Sequence, residues 1–312
     1  AGTLEGLGNT LSNLSIDDAV VGDLVGLIQR NTPSSVVENL RLTGVDVKAA
    51  RNAIAGALIA SNYGLLRGDS VDGVLVQAGT ANHAPKPSLL GGLVGVNDGV
   101  ITGCLASGTV TGKGQSVWVG GLAGLNNGVI RDSRSTAATQ AGKNSLVAGL
   151  VAENSGSISA SFATGPVKGG GGAKAGGLVG RARPAATIAN TYATGAVTNP
   201  GGGPTGGLVA DNAGAIQSAY AAGAVSGGAP RGGLIGLGHP GAPHAVADAY
   251  WDTGASPGPG QGAGGPADDP GVTGLTTSQL RSGLPPGFDP TIWGQDASVN
   301  GGLPHLLALP PS

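Results

Sequence analysis

The chain of 312 residues is long enough for one elongated domain or two compact ones, but it holds 62 glycines, 3% aromatic residues and no methionine. That composition excludes an ordinary core of large side chains. A formal charge of −2 with 11% charged residues leaves no basic footprint for nucleic acid or an anionic membrane, and the single cysteine, Cys104, excludes a disulfide framework or a multi-cysteine metal site.

Glycine and proline at this level suit disorder, yet Leu, Val, Ile and Ala recur at fixed places between the glycines. No apolar run approaches the ~20 residues of a membrane helix. Residue 1 opens without a charged-then-apolar leader, so the chain is expected to be a soluble piece of something larger.

One phrase returns along residues 1–256. Anchored at Leu24, Leu58, Leu93, Leu122, Leu150, Leu178, Leu208 and Leu234, it recurs every 26 to 35 residues, a period that signals a solenoid or an array. Gly or Ala stands two residues before and two after each anchor, as in Gly91 and Gly95 around Leu93. Small residues there suit a narrow coil whose backbones approach closely. Four residues after the anchor stand Asn62, Asn97, Asn126, Asn154 and Asn212, each with a glycine two positions further on. Asn-x-Gly is a turn signal, and stacked coils would bring the amides into register as a structural ladder.

A second strand follows, led by Leu66, Ile101, Ile130, Ile158, Ile188, Ile216 and Val246, and then a third in phrases such as ASGTV and ATGAV. Three brief strands per unit predict an all-β parallel β-solenoid, most simply a three-sided right-handed β-helix of about nine coils, roughly 40 Å long. Residues 257–271, PGPGQGAGGPADDPG, have the composition of a Gly/Pro-rich linker. Residues 272–312 change character, with LTTSQLRSG as a short helix and Phe288, Trp293 and Leu303 as large apolar groups. They are the expected irregular C-terminal cap, since a solenoid's open edges need covering.

The phrase GGLVGVNDGVI with its copies, AYWDTGAS at 249–256, GLTTSQL at 274–280 and WGQDASVNGGLPHLL at 293–307 resemble GLUG-motif repeats. Such repeats occur in filamentous-haemagglutinin-like surface adhesins of Gram-negative bacteria, typically exported by two-partner secretion. The resemblance implies a secreted, cell-surface location and a role in adhesion or biofilm matrix, with bacterial exopolysaccharide or a host-cell glycan as partner. Two repeats depart from the pattern, with RARPAAT after Leu178 and LGHPGAPH after Leu234 in place of Asn-x-Gly. The secretion domain of such proteins has no match here, so the export route rests on resemblance alone.

Several residues invite a sharper reading. Arg67-Gly68-Asp69 is an integrin-type recognition tripeptide; strand alternation would point Arg67 and Asp69 outward together on a flat rung, and a solvated charge pair is the plainer account. Phe162, Tyr192, Tyr220 and Tyr250 each lie four residues beyond a strand leader and form an aromatic file. Aromatic faces suit sugar rings, but an offset of four keeps the leader's parity, so inward core packing is expected unless a bulge intervenes. A polysaccharide lyase or hydrolase would gather carboxylates on one face. Asp98 lies five residues after its anchor, and Glu153 and Asp211 share a position three after theirs but are two coils apart, roughly 10 Å, so all three read as isolated solvated charges. His83, His239, His244 and His305 lack a carboxylate or cysteine companion for a metal. The GGxxxG phrases recur without a following helix and are no nucleotide loop.

The expected protein is thus a non-catalytic, monomeric segment of a surface adhesin, without metal or cofactor, that serves as stiff spacer and display surface. A polysaccharide-degrading β-helix enzyme and a ligand-free spacer are the alternatives.

Overall fold

The computed structural model describes residues 2–78, 86–239, 246–256, 262–265 and 269–311. One coil shows the plan, with strands Ser88–Gly91, Val94–Asn97, Val100–Thr102 and Leu105–Gly112. Leu90, Val94, Ile101, Ala106 and Val110 turn inward and are fully buried. Each sits over its counterparts: Leu90 lies between Ala55 and Val119, and Ile101 between Leu66 and Ile130. These pairings are parallel, as a chain that winds in one sense requires.

The coils stack into two parallel sheets of eight strands and a third of 21, longer because each turn contributes more than one strand to it. This is the parallel β-solenoid expected from the repeat, with eight rungs on two faces where the pattern suggests about nine coils. Among the described residues the third face extends one rung further at each end, where Thr3–Glu5 pairs with Val36–Glu38 and Val272–Leu275 with Val246–Asp252.

The leucine anchors from Leu58 to Leu234 are buried where the first sheet turns into the second. A Cβ on Gly91 would collide with the Val94 carbonyl, and Gly120, Gly176, Gly206 and Gly232 meet the same obstacle. The small residue before the anchor therefore permits the sharp turn of the coil wall. The first anchor needs correction. Ile28 pairs with Ile59, so the equivalent of Leu58 is Leu27, and Leu24 pairs instead with Ile54. Two small-residue phrases in GDLVGLIQRN made the alignment ambiguous by three residues.

The C-terminal part departs from expectation in two ways. Described residues 262–265 of the supposed linker continue the ladder: Ala263 bridges Ile235, and Leu234 N donates to Gly262 O at 2.9 Å. Its small residues do what the repeat glycines do elsewhere. The short helix, Thr277–Leu280, is present, with the reciprocal Thr276 and Gln279 bonds of a capping box. From there the chain runs back down the outside of the third face and covers the solenoid's flank. The end of the core is filled by Trp251, which continues the column Ala163, Ala193, Ala221 and lies against Gly233, Gly262 and Gly274.

Candidate functional site

One backbone feature decides where the candidate side chains point. Two residues after each strand leader the chain turns left-handed, at Gly68 (φ 66°), Gly103 (67°), Asp132 (50°), Ala160 (43°), Asn190 (52°), Ser218 (50°) and Asp248 (50°). Gly, Asn and Asp adopt this conformation most readily. The kink shifts the inside-outside alternation by one residue. Leader and leader-plus-three face inward, and leader-plus-four faces outward.

Asp69 is a leader-plus-three residue. It is fully buried, in the column that holds Cys104, Ser133 and Ser161 in later coils. Its Oδ1 accepts the Leu40 N–H at 2.9 Å, as Ser133 Oγ accepts Cys104 N–H and Ser161 Oγ accepts Ser133 N–H, both at 3.1 Å. Its Oδ2 is buried without a partner. Burial pushes the Asp69 carboxyl up to about 6, and it drives the neighbouring Cys104 thiol up as well. Arg67 points outward and pairs with Glu38 of the preceding coil. The expectation that Arg67 and Asp69 share an outer face is therefore corrected. Gly68 turns the chain between them, and the tripeptide offers no carboxylate to a receptor.

The aromatic file is likewise corrected, in the opposite sense. Phe162, Tyr192, Tyr220 and Tyr250 are leader-plus-four residues on the outside of the coil, and the C-terminal segment buries them there. Phe162 stacks on Tyr192 at 4.5 Å and 10°, and Tyr192 on Tyr220 at 5.2 Å and 9°. Trp293 lies 6.0 Å from both tyrosine rings and 4.4 Å from Phe288. With Leu280 and Leu306 they form an apolar cluster distinct from the solenoid core. Tyr250 Oη donates to Pro286 O at 2.8 Å, Tyr220 Oη to Pro304 O at 2.6 Å, Trp293 Nε1 to Asn190 Oδ1 at 3.1 Å and Arg134 Nη1 to Pro310 O at 3.2 Å. Residues 276–311 are thus a strap along the flank. No ring face is left open for a sugar.

The asparagine ladder is real and longer at its start than the sequence count. Asn31 Nδ2 donates to Asn62 Oδ1, Asn62 to Asn97, Asn97 to Asn126 and Asn126 to Asn154, each at 2.7 Å. Asn31 escaped notice because the first anchor was misplaced. Asn212 stands outside the ladder, since Ala182 occupies the coil between it and Asn154; its amide serves its own turn through Gly214.

Glu153 and Asp211 occupy one outward column of the second sheet, with Arg181 between them. Arg181 reaches both, at 3.1 Å and 3.4 Å, Arg183 bonds Glu153 at 2.9 Å, and Lys174 pairs with Asp211 from the first sheet. His239 Nε2 lies 2.6 Å from the other Asp211 oxygen. Burial opposes the charge on Asp211, but the bonds from Lys174 and His239 outweigh it and hold the carboxyl below the usual range. Isolated solvated charges were expected here; Arg181, at the same offset from its anchor as the two carboxylates, fills the coil between them, and Lys174 and His239 reach Asp211 from other offsets. Asp98 accepts from Asn127 Nδ2 at 2.8 Å. His305 is buried in the strap, on the ribbon Trp293–Gly294 with His305–Leu306. His83 and His244 lie outside the described residues. Among the described residues no three potential ligands converge as a metal site, and no helix is long and apolar enough to cross a membrane.

Comparison with known proteins adds one decisive match. The family model described as the GLUG motif matches residues 87–111, which is the coil described above. The chain carries the GLUG motif. No curated protein matches the sequence. Among solved structures, a Bacteroides ovatus protein provisionally named an immunoglobulin A1 protease is similar over 97% of this chain and 76% of its own, at 16% identity and a TM-score of 0.48. At that level the similarity carries no argument about activity. In the GLUG coil, Gly91 and Gly95 allow the wall to bend, Leu93 fills the corner, and Asn97 joins the ladder, so each element of the motif has a structural duty.

Proposed function

We propose that this GLUG-containing solenoid is a non-catalytic segment of a secreted bacterial surface adhesin, a stiff spacer and display surface that holds an exopolysaccharide or host-cell glycan. The observation that carries the reading is the unbroken stacking of parallel coils, keyed from within by the ladder from Asn31 to Asn154. A rod built this way gains reach from little core volume, and its repeated faces bind through many weak contacts. The carboxylates speak against the hydrolase alternative. Glycoside hydrolysis needs one carboxyl held protonated beside an ionised partner, whereas Glu153 and Asp211 are both engaged by cations and Asp211 is pushed toward ionisation.

The test is a glycan array together with matrix polysaccharides, run on this chain. Binding without new reducing or unsaturated ends is the expected result. Release of such ends would favour the enzyme, and absence of binding would leave a ligand-free spacer.

A further inference from the structure

The strap does more than cover the aromatic file. Between its last turn and the third face lies a cleft of about 430 Å³, lined by Arg134, Thr136, Phe162, Thr164 and Thr194 of the solenoid and by strap residues that include Ser298 and Asn300. Arg134 heads the column that continues as Phe162, Tyr192 and Tyr220. One step along the strand, Thr136, Thr164 and Thr194 follow residues paired in register, so their hydroxyls form a row at the coil spacing of about 4.8 Å. Among the described residues these three hydroxyls make no side-chain hydrogen bond. Among the described residues the Arg134 guanidinium gives one N–H to Pro310 O and meets no carboxylate. Arg41, Arg67, Arg181 and Arg183 each pair with a carboxylate of a neighbouring coil; Arg134 is instead set in the wall of a cleft.

We propose that this cleft is a binding site for a uronate-bearing saccharide, a proposal that rests on the glycan-holding reading above. The guanidinium, with Nε buried and Nη1 bonded to Pro310 O, offers its remaining N–H edge to the carboxylate. The threonine row takes ring hydroxyls, with one sugar hydroxyl within reach of each coil. Val299 and Pro311 of the strap give the apolar edge against which a pyranose can rest. The site requires both partners: the solenoid alone supplies charge and hydroxyls, and the strap closes the cleft. That also gives the strap a reason to reach as far as Arg134, beyond the last aromatic ring.

The full chain is titrated calorimetrically with an oligogalacturonate and with the same oligomer methyl-esterified at its carboxylates. The acid is expected to bind at least about tenfold more tightly than the ester, and Arg134→Gln to abolish that preference. Thr164→Val, a near-isosteric change that spares the charge, is expected to weaken both by about threefold or more. Thr198→Val, elsewhere on the third face, should change nothing, and circular dichroism checks each fold. Equal binding by Arg134→Gln, or displacement of the oligomer by acetate at matched concentration, would overturn the site. If glycans bind the chain on an array while both cleft variants bind as well as wild type, only this site falls; if no glycan binds at all, the wider reading falls with it.

Discussion

A single left-handed residue separates Arg67 from Asp69, and it reverses what the tripeptide can do. Strand alternation treats 67 and 69 as neighbours on one face, but Gly68 breaks the count and sends the carboxylate into the core. The signal was present in the sequence: Gly68, Gly103, Asp132, Asn190 and Asp248 all stand two after a leader, and all are residue types that tolerate positive φ. Asp69 also has a measurable signature. Its folded pKa near 6 lies above the unfolded value, so protonation favours the fold. Stability from this group is greatest below about pH 4 and is lost as the pH rises through 6, by about 3 kcal/mol. Asp69→Asn should therefore raise the melting temperature at pH 7.5 and flatten the difference between pH 4.5 and 7.5, as thermal denaturation followed by circular dichroism will show. Asp69→Glu, by contrast, adds a methylene to a filled corner and is expected to destabilise the fold by about 1–3 kcal/mol.

At the scale of the element, the repeat is held by ladders that no single coil can form. The Asn column is a chain of side-chain bonds in which each amide both donates and accepts. Removing a middle member strands a buried donor on one side and a buried acceptor on the other. Asn126→Ala should cost about 1–3 kcal/mol, whereas Asn212→Ala, which disturbs one turn only, should cost about 1 kcal/mol or less. Urea midpoints of the two variants make the comparison, and equal losses would show that the ladder contributes no more than its separate turns. The ladder was legible in the sequence because its spacing matches the coil period. The ion-paired column of Glu153, Arg181 and Asp211 stands at one offset, three residues after Leu150, Leu178 and Leu208, and is legible in the same way once basic residues are compared with acidic ones; Lys174 and His239 lie at other offsets and meet Asp211 only through the register of adjacent coils.

For the whole molecule, the solenoid's coils contact mainly their neighbours, and the strap is the exception. It ties the last coil to that of Arg134 and buries a second apolar cluster on the outside of the first. Trp293 is its keystone, packed against Tyr192, Tyr220 and Phe288. Trp293→Ala should cost about 3–5 kcal/mol, and that loss should remain local, as expected for a quasi-one-dimensional fold. Hydrogen exchange is the direct measurement: amides of residues 276–311 should lose protection while those of the GLUG coil at 88–112 keep theirs. Loss of protection throughout would mean that the strap holds the rod together.

Sequence alone determined the winding of this protein. Period, small residues around a leucine, and Asn-x-Gly turns are local requirements of every coil, so they are written again in each repeat and can be read without coordinates. It also announced a change of character after residue 271, because the repeat phrase stops before that point and LTTSQLRSG, Phe288 and Trp293 follow it. Only the tertiary structure decided which way the aromatic file faces, where the C-terminal segment lies and which charges meet. The first depends on one kinked residue per coil, whose trace is blurred because Ala160 and Ser218 stand where Gly, Asn or Asp stand elsewhere, and the others on contacts between segments as much as 176 residues apart, which leave no periodic trace.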